Sequence, residues 1–167
     1  NGIPNVENTQ SDAHIILDFV LKHLKIQNYS GSLILMGRSL GSVSVLELAK
    51  RYPQDFSRLI IESGFADEEP LFTLIGTTPQ QAGFKKEDGF LNGEKIKQYH
   101  GPLLVIHAEK DHIIPFSQGE FLYNYCPSKN KRLLPIPNAN HNNILGESPQ
   151  KYFKEVEKCI IQLSGRF

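Results

Sequence analysis

Three short segments carry residues whose types and spacing could do nucleophilic chemistry. The first is Gly37-Arg38-Ser39-Leu40-Gly41, which follows an apolar run and precedes a helical pattern. A serine hydroxyl is a weak nucleophile unless an imidazole takes its proton. The second segment, His107-Ala108-Glu109-Lys110-Asp111-His112, offers a carboxylate in Asp111. The third, Pro137-Asn138-Ala139-Asn140-His141-Asn142-Asn143, offers the imidazole of His141. In this reading Ser39 attacks an acyl carbon, and His141 accepts its proton and later returns it. Asp111 fixes the imidazole tautomer and stabilises the imidazolium. The G-x-S-x-G spacing suits a serine held on a sharp strand-to-helix turn. Gly37 and Gly41 then stand where side chains would collide with the neighbouring strand and helix. The helix points its N-terminus at the serine, and the backbone N–H of Leu40 becomes one oxyanion donor.

The elements that must position these residues are short and regularly alternating. Ser11 to Leu24 is amphipathic, with Ile15, Phe19, Leu21 and Leu24 set among charges, and predicts a helix. Leu33 to Met36 is wholly apolar, as for a strand covered on both faces. Ser39 to Arg51 has helical periodicity and is stopped by Pro53. Arg58 to Ile61 and Leu103 to Ile106 are two further buried strands, and Lys131 to Ile136, with its Pro135, reads as an edge strand. Ser117 to Tyr125 and Ser148 to about Leu163 are helices, the last expected to bury Phe153, Val156, Cys159 and Ile160. Between Gly64 and Gly101 the pattern loosens into an excursion of short helices. Strands alternating with helices predict an α/β fold, a mostly parallel sheet flanked by helices. Ligands bind such sheets at the carboxyl ends of the strands, where all three segments fall.

The GRSLG, HAEKDHIIP and NANHNNIL segments together resemble the α/β-hydrolase superfamily, in its esterase-like and acyl-thioesterase-like branch. In that family the acid segment commonly reads His-Gly-x-x-Asp-x-x-Val-Pro; here Ala108 and Ile114 replace the Gly and the Val. Asn140 stands where the family often has Gly before the His. The resemblance, from about Ser11 to the C-terminus, implies a three-layer sandwich and a serine hydrolase acting on an ester or thioester without a cofactor. It also implies that the excursion lies where cap insertions go, so that Phe65, Leu71 and Phe72, with Leu74 and Ile75, could line an acyl pocket. A peptidase of the same superfamily and a non-catalytic interaction module on the same fold are the rival readings.

Other residues compete for roles. Glu62 closes a strand where some hydrolases carry the acid. His107 and His112 flank Asp111, but a metal site needs a third ligand, and no metal is expected. Arg38 could meet a substrate carboxylate. His14, His23 and His100 read as ordinary surface or turn residues, and Cys126, beside Pro127, as a buried helix end. With no metal or disulfide spacing, Cys126 and Cys159 read as free thiols, which points to the cytoplasm.

The 18 Lys and Arg against 18 Asp and Glu leave no basic footprint for nucleic acid or for a membrane surface. No apolar run approaches the roughly 20 residues of a membrane span. The 167 residues suffice for one domain with one core, yet the resemblance makes them few. The family has several strands before the helix that precedes the nucleophile, and one of their loops carries a second oxyanion donor. The expectation is therefore a C-terminal part of a longer hydrolase, opening on Asn1-Gly2-Ile3-Pro4. The Leu33–Met36 strand would then be an exposed edge through which the chain could self-associate.

Overall fold

The computed structural model describes residues 5–161, so the Asn1–Pro4 opening and the expected helix end near Leu163 lie outside the described residues. The chain runs α1 (Val6–Ile26), β1 (Ile34–Arg38), α2 (Gly41–Arg51), β2 (Arg58–Glu62), α3 (Glu69–Leu74), a 3₁₀ turn (Lys86–Asp88), α4 (Asn92–Ile96), β3 (Leu103–Ala108), α5 (Phe116–Tyr125), β4 (Lys131–Ile136), α6 (Ile144–Glu147) and α7 (Pro149–Ile161). The four strands form one sheet in the order β1-β2-β3-β4. Every pair is parallel. This is the expected α/β architecture of a parallel sheet flanked by helices, and Pro135 lies on an edge strand.

The period of two along each strand explains how the sheet is covered. Leu59, Ile61, Leu103 and Val105 point to one face, where they pack with Ala13 and Leu17 of α1, Val45 and Leu46 of α2, and Leu122 of α5. Ile60, Leu104, Ile106, Leu134 and Ile136 point to the other and pack with Ile144 of α6 and Tyr152 of α7. Because both faces of β2 and β3 are covered, every residue of those strands is buried.

Four expectations are corrected. The β1 strand is not covered on both faces: Met36 shares the Ile60 face but is 47 % exposed. Among the described residues β1 pairs only with β2, so its other edge is open. In α1 the buried stripe runs through Ala13 and Leu17, with Leu21 packed against it, whereas Ile15 and Phe19 are exposed. In α7 the residues turned to the sheet are Tyr152 and Glu155, while Phe153 and Ile160 are 61 % and 46 % exposed. Val156 and Cys159 are only partly buried. The last correction concerns the excursion, whose C-terminal part is framework. Ile96 and Tyr99 join the main core, and Lys95 reaches Glu47 of α2 at 2.6 Å. A five-residue helix is too short to show periodicity, which is why α4 is invisible in the sequence.

Candidate active site

Ser39 follows the last residue of β1 and stands at φ +52°, a left-handed conformation rare for a residue with a side chain. The strain is held by neighbours on both sides. The Ser39 N–H donates to the Glu62 carbonyl at the end of β2, and the Ser39 carbonyl accepts from the Ser42 N–H as α2 begins. Gly37 is required: a Cβ there would lie 2.5 Å from the Gly41 carbonyl oxygen and 2.7 Å from a methyl of Val45. Gly41 differs from expectation, since a Cβ there would enter open space. It is the Gly41 backbone, not its missing side chain, that crowds the turn.

The turns after β3 and β4 bring Asp111 and His141 to the same end of the sheet. His141 Nε2 lies 3.1 Å from Ser39 Oγ, and its Nδ1 lies 2.8 Å from Asp111 Oδ2. Asp111 and His141 are both buried, and Ser39 is half-buried. The other Asp111 oxygen accepts from the Ile113 and Ile114 N–H groups at 3.0 and 2.8 Å. With both oxygens engaged, the carboxylate can turn in neither direction. His141 Nδ1–H donates to it, which leaves Nε2 free to accept the Ser39 proton. The Leu40 N–H has no hydrogen-bond partner among the described residues, so it is open to an oxyanion beside Ser39.

A second set of side chains locks the His141 loop to the Ser39 turn. Arg38 donates through Nε to Glu62 at 3.0 Å and through a terminal nitrogen to the His141 carbonyl. The second Glu62 oxygen accepts from the Tyr152 hydroxyl at 2.6 Å. Burial, followed by this bond and the Glu62 charge, pushes the Tyr152 phenol far up, so it stays a neutral donor. Glu62 is therefore engaged with Arg38 and Tyr152. Arg38, weighed as a substrate contact, instead fixes the loop that carries His141. The sequence held a signal for Arg38 in its place beside Ser39, and none for Tyr152.

His107 is fully buried, donating from Nε2 to the Ile114 carbonyl at 2.9 Å and lying edge-on to Phe116. Burial lowers its pKa against the opposing effects of that bond and of Asp111, so the ring is neutral. It pins the turn whose amides hold Asp111. His112 is exposed. Among the described residues no cluster of three or more His, Cys, Asp or Glu could hold a metal ion. Cys126 is buried and contacts the Tyr99 carbonyl, and burial pushes its thiol up. Phe65 is fully enclosed with Val43 and Ile114, and Leu71 and Phe90 pack against that group. The Phe72 ring lies 4.9 Å from that of Phe84.

This sheet, with a serine on a strained elbow and an acid and an imidazole after later strands, defines the α/β-hydrolase class. Solved structures agree. A monoacylglycerol lipase from Paleococcus ferrophilus superposes with a TM-score of 0.68 over 97 % of this chain and 77 % of its own, at 14 % identity. An acylaminoacyl peptidase from Pyrococcus horikoshii reaches 0.68 over 92 % of this chain and 27 % of its own, at 18 % identity. Within that class the chain belongs to the prolyl oligopeptidase family, whose model matches residues 5–160. It is similar to the α/β-hydrolase domain-containing protein aho-3 of Caenorhabditis elegans, at 29 % identity over 86 % of this chain and 40 % of that protein. It is similar also to the α/β-hydrolase domain-containing protein 17C of Homo sapiens, at 32 % identity over 77 % of this chain and 36 % of that protein. The chain thus spans about two fifths of the length of these curated relatives.

Proposed function

We propose that the protein is a serine hydrolase that cleaves an ester or thioester through an acyl-enzyme. One observation carries the reading: the continuous hydrogen-bonded line from Ser39 Oγ through His141 to Asp111. Ser39 Oγ attacks the acyl carbon as its proton passes to His141 Nε2. The C–O or C–S bond to the leaving group then breaks, and His141 returns the proton to that group. Water attacks the acyl-enzyme by the same route, giving the acid and restoring Ser39. Asp111 balances the imidazolium in both halves, and the Leu40 N–H meets the oxyanion. The chemistry needs no metal or cofactor. Leu71 and Phe72 are candidate contacts for the acyl group. Phe65 would take part only from beneath, by shaping the wall of Val43 and Ile114. Two free cysteines suit a reducing compartment such as the cytoplasm.

A second reading, amide cleavage in a peptide, is favoured by the family match and by the likeness to an acylaminoacyl peptidase. Both readings use the same residues and differ in the leaving group. The intact Ser39–His141–Asp111 line argues against a purely non-catalytic module. The test is turnover of p-nitrophenyl acetate beside a panel of acyl thioesters and peptide anilides. Ser39→Ala is expected to abolish turnover while its circular dichroism stays native. Unchanged turnover in that variant would refute the assignment of Ser39.

A further inference from the structure

At the opposite end of the sheet, where the strands begin, lies a cavity of about 340 Å³. Arg58 opens β2, Leu103 opens β3, and Lys131 and Arg132 open β4; with Lys158 and Cys159 of α7 they line it. Its charge is lopsided. Arg132 and Lys158 share a single carboxylate, Glu155, at 2.8 Å each. Lys131 is spent on the carbonyls of Tyr123 and Cys126. Arg58 is the anomaly. It is only 5 % exposed, its Nε has no hydrogen-bond partner, and among the described residues no carboxylate lies within ion-pair reach of it. Its guanidinium meets the thiol of Cys159, which burial holds neutral against the pull of Arg58.

A buried guanidinium without a counter-charge is costly, and the cost is offset when an anion reaches it. Arg58 shares the sheet face of Ile60 and Leu104, the face that α7 covers, so an anion there would also come within reach of Arg132 and Lys158. A planar guanidinium whose Nε–H is unpaired matches the oxygens of a phosphate. The cavity exceeds what one phosphate fills, since a water's share of liquid volume is about 30 Å³. We propose that this basin binds the phosphate group of a small phosphorylated molecule, with Arg58 at its floor and Arg132 and Lys158 at its rim.

The experiment is calorimetric titration of the purified protein with pyrophosphate at constant ionic strength, beside alkylation of Cys159 followed by mass spectrometry. Saturable one-to-one binding is expected, with Cys159 protected as the ligand binds. The double variant Arg132→Gln/Lys158→Gln removes both rim charges while its half-exposed side-chain amides can still donate to Glu155, and it should bind at least about tenfold more weakly once circular dichroism shows it folded. Arg58→Met should bind still more weakly; if it fails to fold, the double variant and the Cys159 protection still decide. Binding that is absent, that is unchanged in the double variant, or that leaves Cys159 equally reactive would overturn the proposal. So would binding to vesicles of equimolar phosphatidylcholine and phosphatidylserine without any response to pyrophosphate, since that would assign the cations to a lipid surface.

Discussion

Arg38 shows how much of the candidate site depends on a residue that hydrogen-bonds neither the Ser39 hydroxyl nor the His141 ring. It ties the carboxylate at the end of β2 to the backbone of His141, and Tyr152 completes the arrangement from α7. In Arg38→Met the His141 loop loses its charged anchor, and Glu62 keeps only the Tyr152 hydroxyl. A misplacement of about 1 Å at a reacting group can cost on the order of a hundredfold. We therefore expect kcat to fall by about ten- to a hundredfold with KM little changed, and the midpoint of thermal unfolding to fall as well, because Glu62 is left buried without its cation. Tyr152→Phe, which leaves Arg38 in place, should show the same pattern more weakly. An effect on KM alone would return Arg38 to the role of a substrate contact. At this scale the sequence was informative wherever chemistry needs a particular side chain in a particular turn. Ser39, Asp111 and His141 stand in recognisable segments, and the three meet. It was silent on Tyr152, because a hydroxyl 90 positions along the chain from its carboxylate leaves no local mark.

Among the elements, β2 and β3 were legible because burial on both faces demands an unbroken apolar run. The α7 helix was legible as a helix but not in its orientation. Its apolar stripe through Phe153 and Ile160 faces outward. The buried side carries Tyr152 and Glu155, made tolerable by Glu62, Arg132 and Lys158. Hydrophobicity cannot reveal that polar groups will find partners across the sheet. The join between β3 and α5 carries a prediction about pH. His107 packs so closely on α5 that a Cβ on Gly119 would lie 2.5 Å from its Nδ1. That ring is neutral when folded, its pKa lowered mainly by burial. The unfolded chain therefore binds the proton first, at the ordinary histidine value of about 6.5. Stability from this group is complete above that pH and is lost as the pH falls towards the folded value. Urea unfolding between neutral and mildly acid pH should show a steeper decline in the wild type than in His107→Gln. Equal slopes would mean that His107 takes no part.

At the scale of the whole molecule, apolar surface lies uncovered along one edge of the sheet and on the outer sides of helices on both of its faces. The free edge of β1 with Met36, the outer stripe of α1 with Ile15, Ile16 and Phe19, and Phe153, Ile160 and Ile161 of α7 are all exposed. Among the described residues no helix is long and apolar enough to cross a membrane, so these residues make no spanning segment. Apolar surface on this scale, beside an unpaired strand edge, promotes association. The 167-residue chain by itself should sediment as concentration-dependent oligomers and should enhance the fluorescence of a hydrophobic dye. A single monomeric species with no dye response would show that these faces do not associate. The proposed serine hydrolase chemistry stands apart from that outcome, because it rests on one nucleophile. Its most direct test is reaction of the folded protein with a fluorophosphonate, followed by mapping of the adduct. One adduct is expected, on Ser39, and it should disappear on heat denaturation and in His141→Gln. A folded protein that stays unlabelled at Ser39, or takes the label elsewhere, would contradict that chemistry.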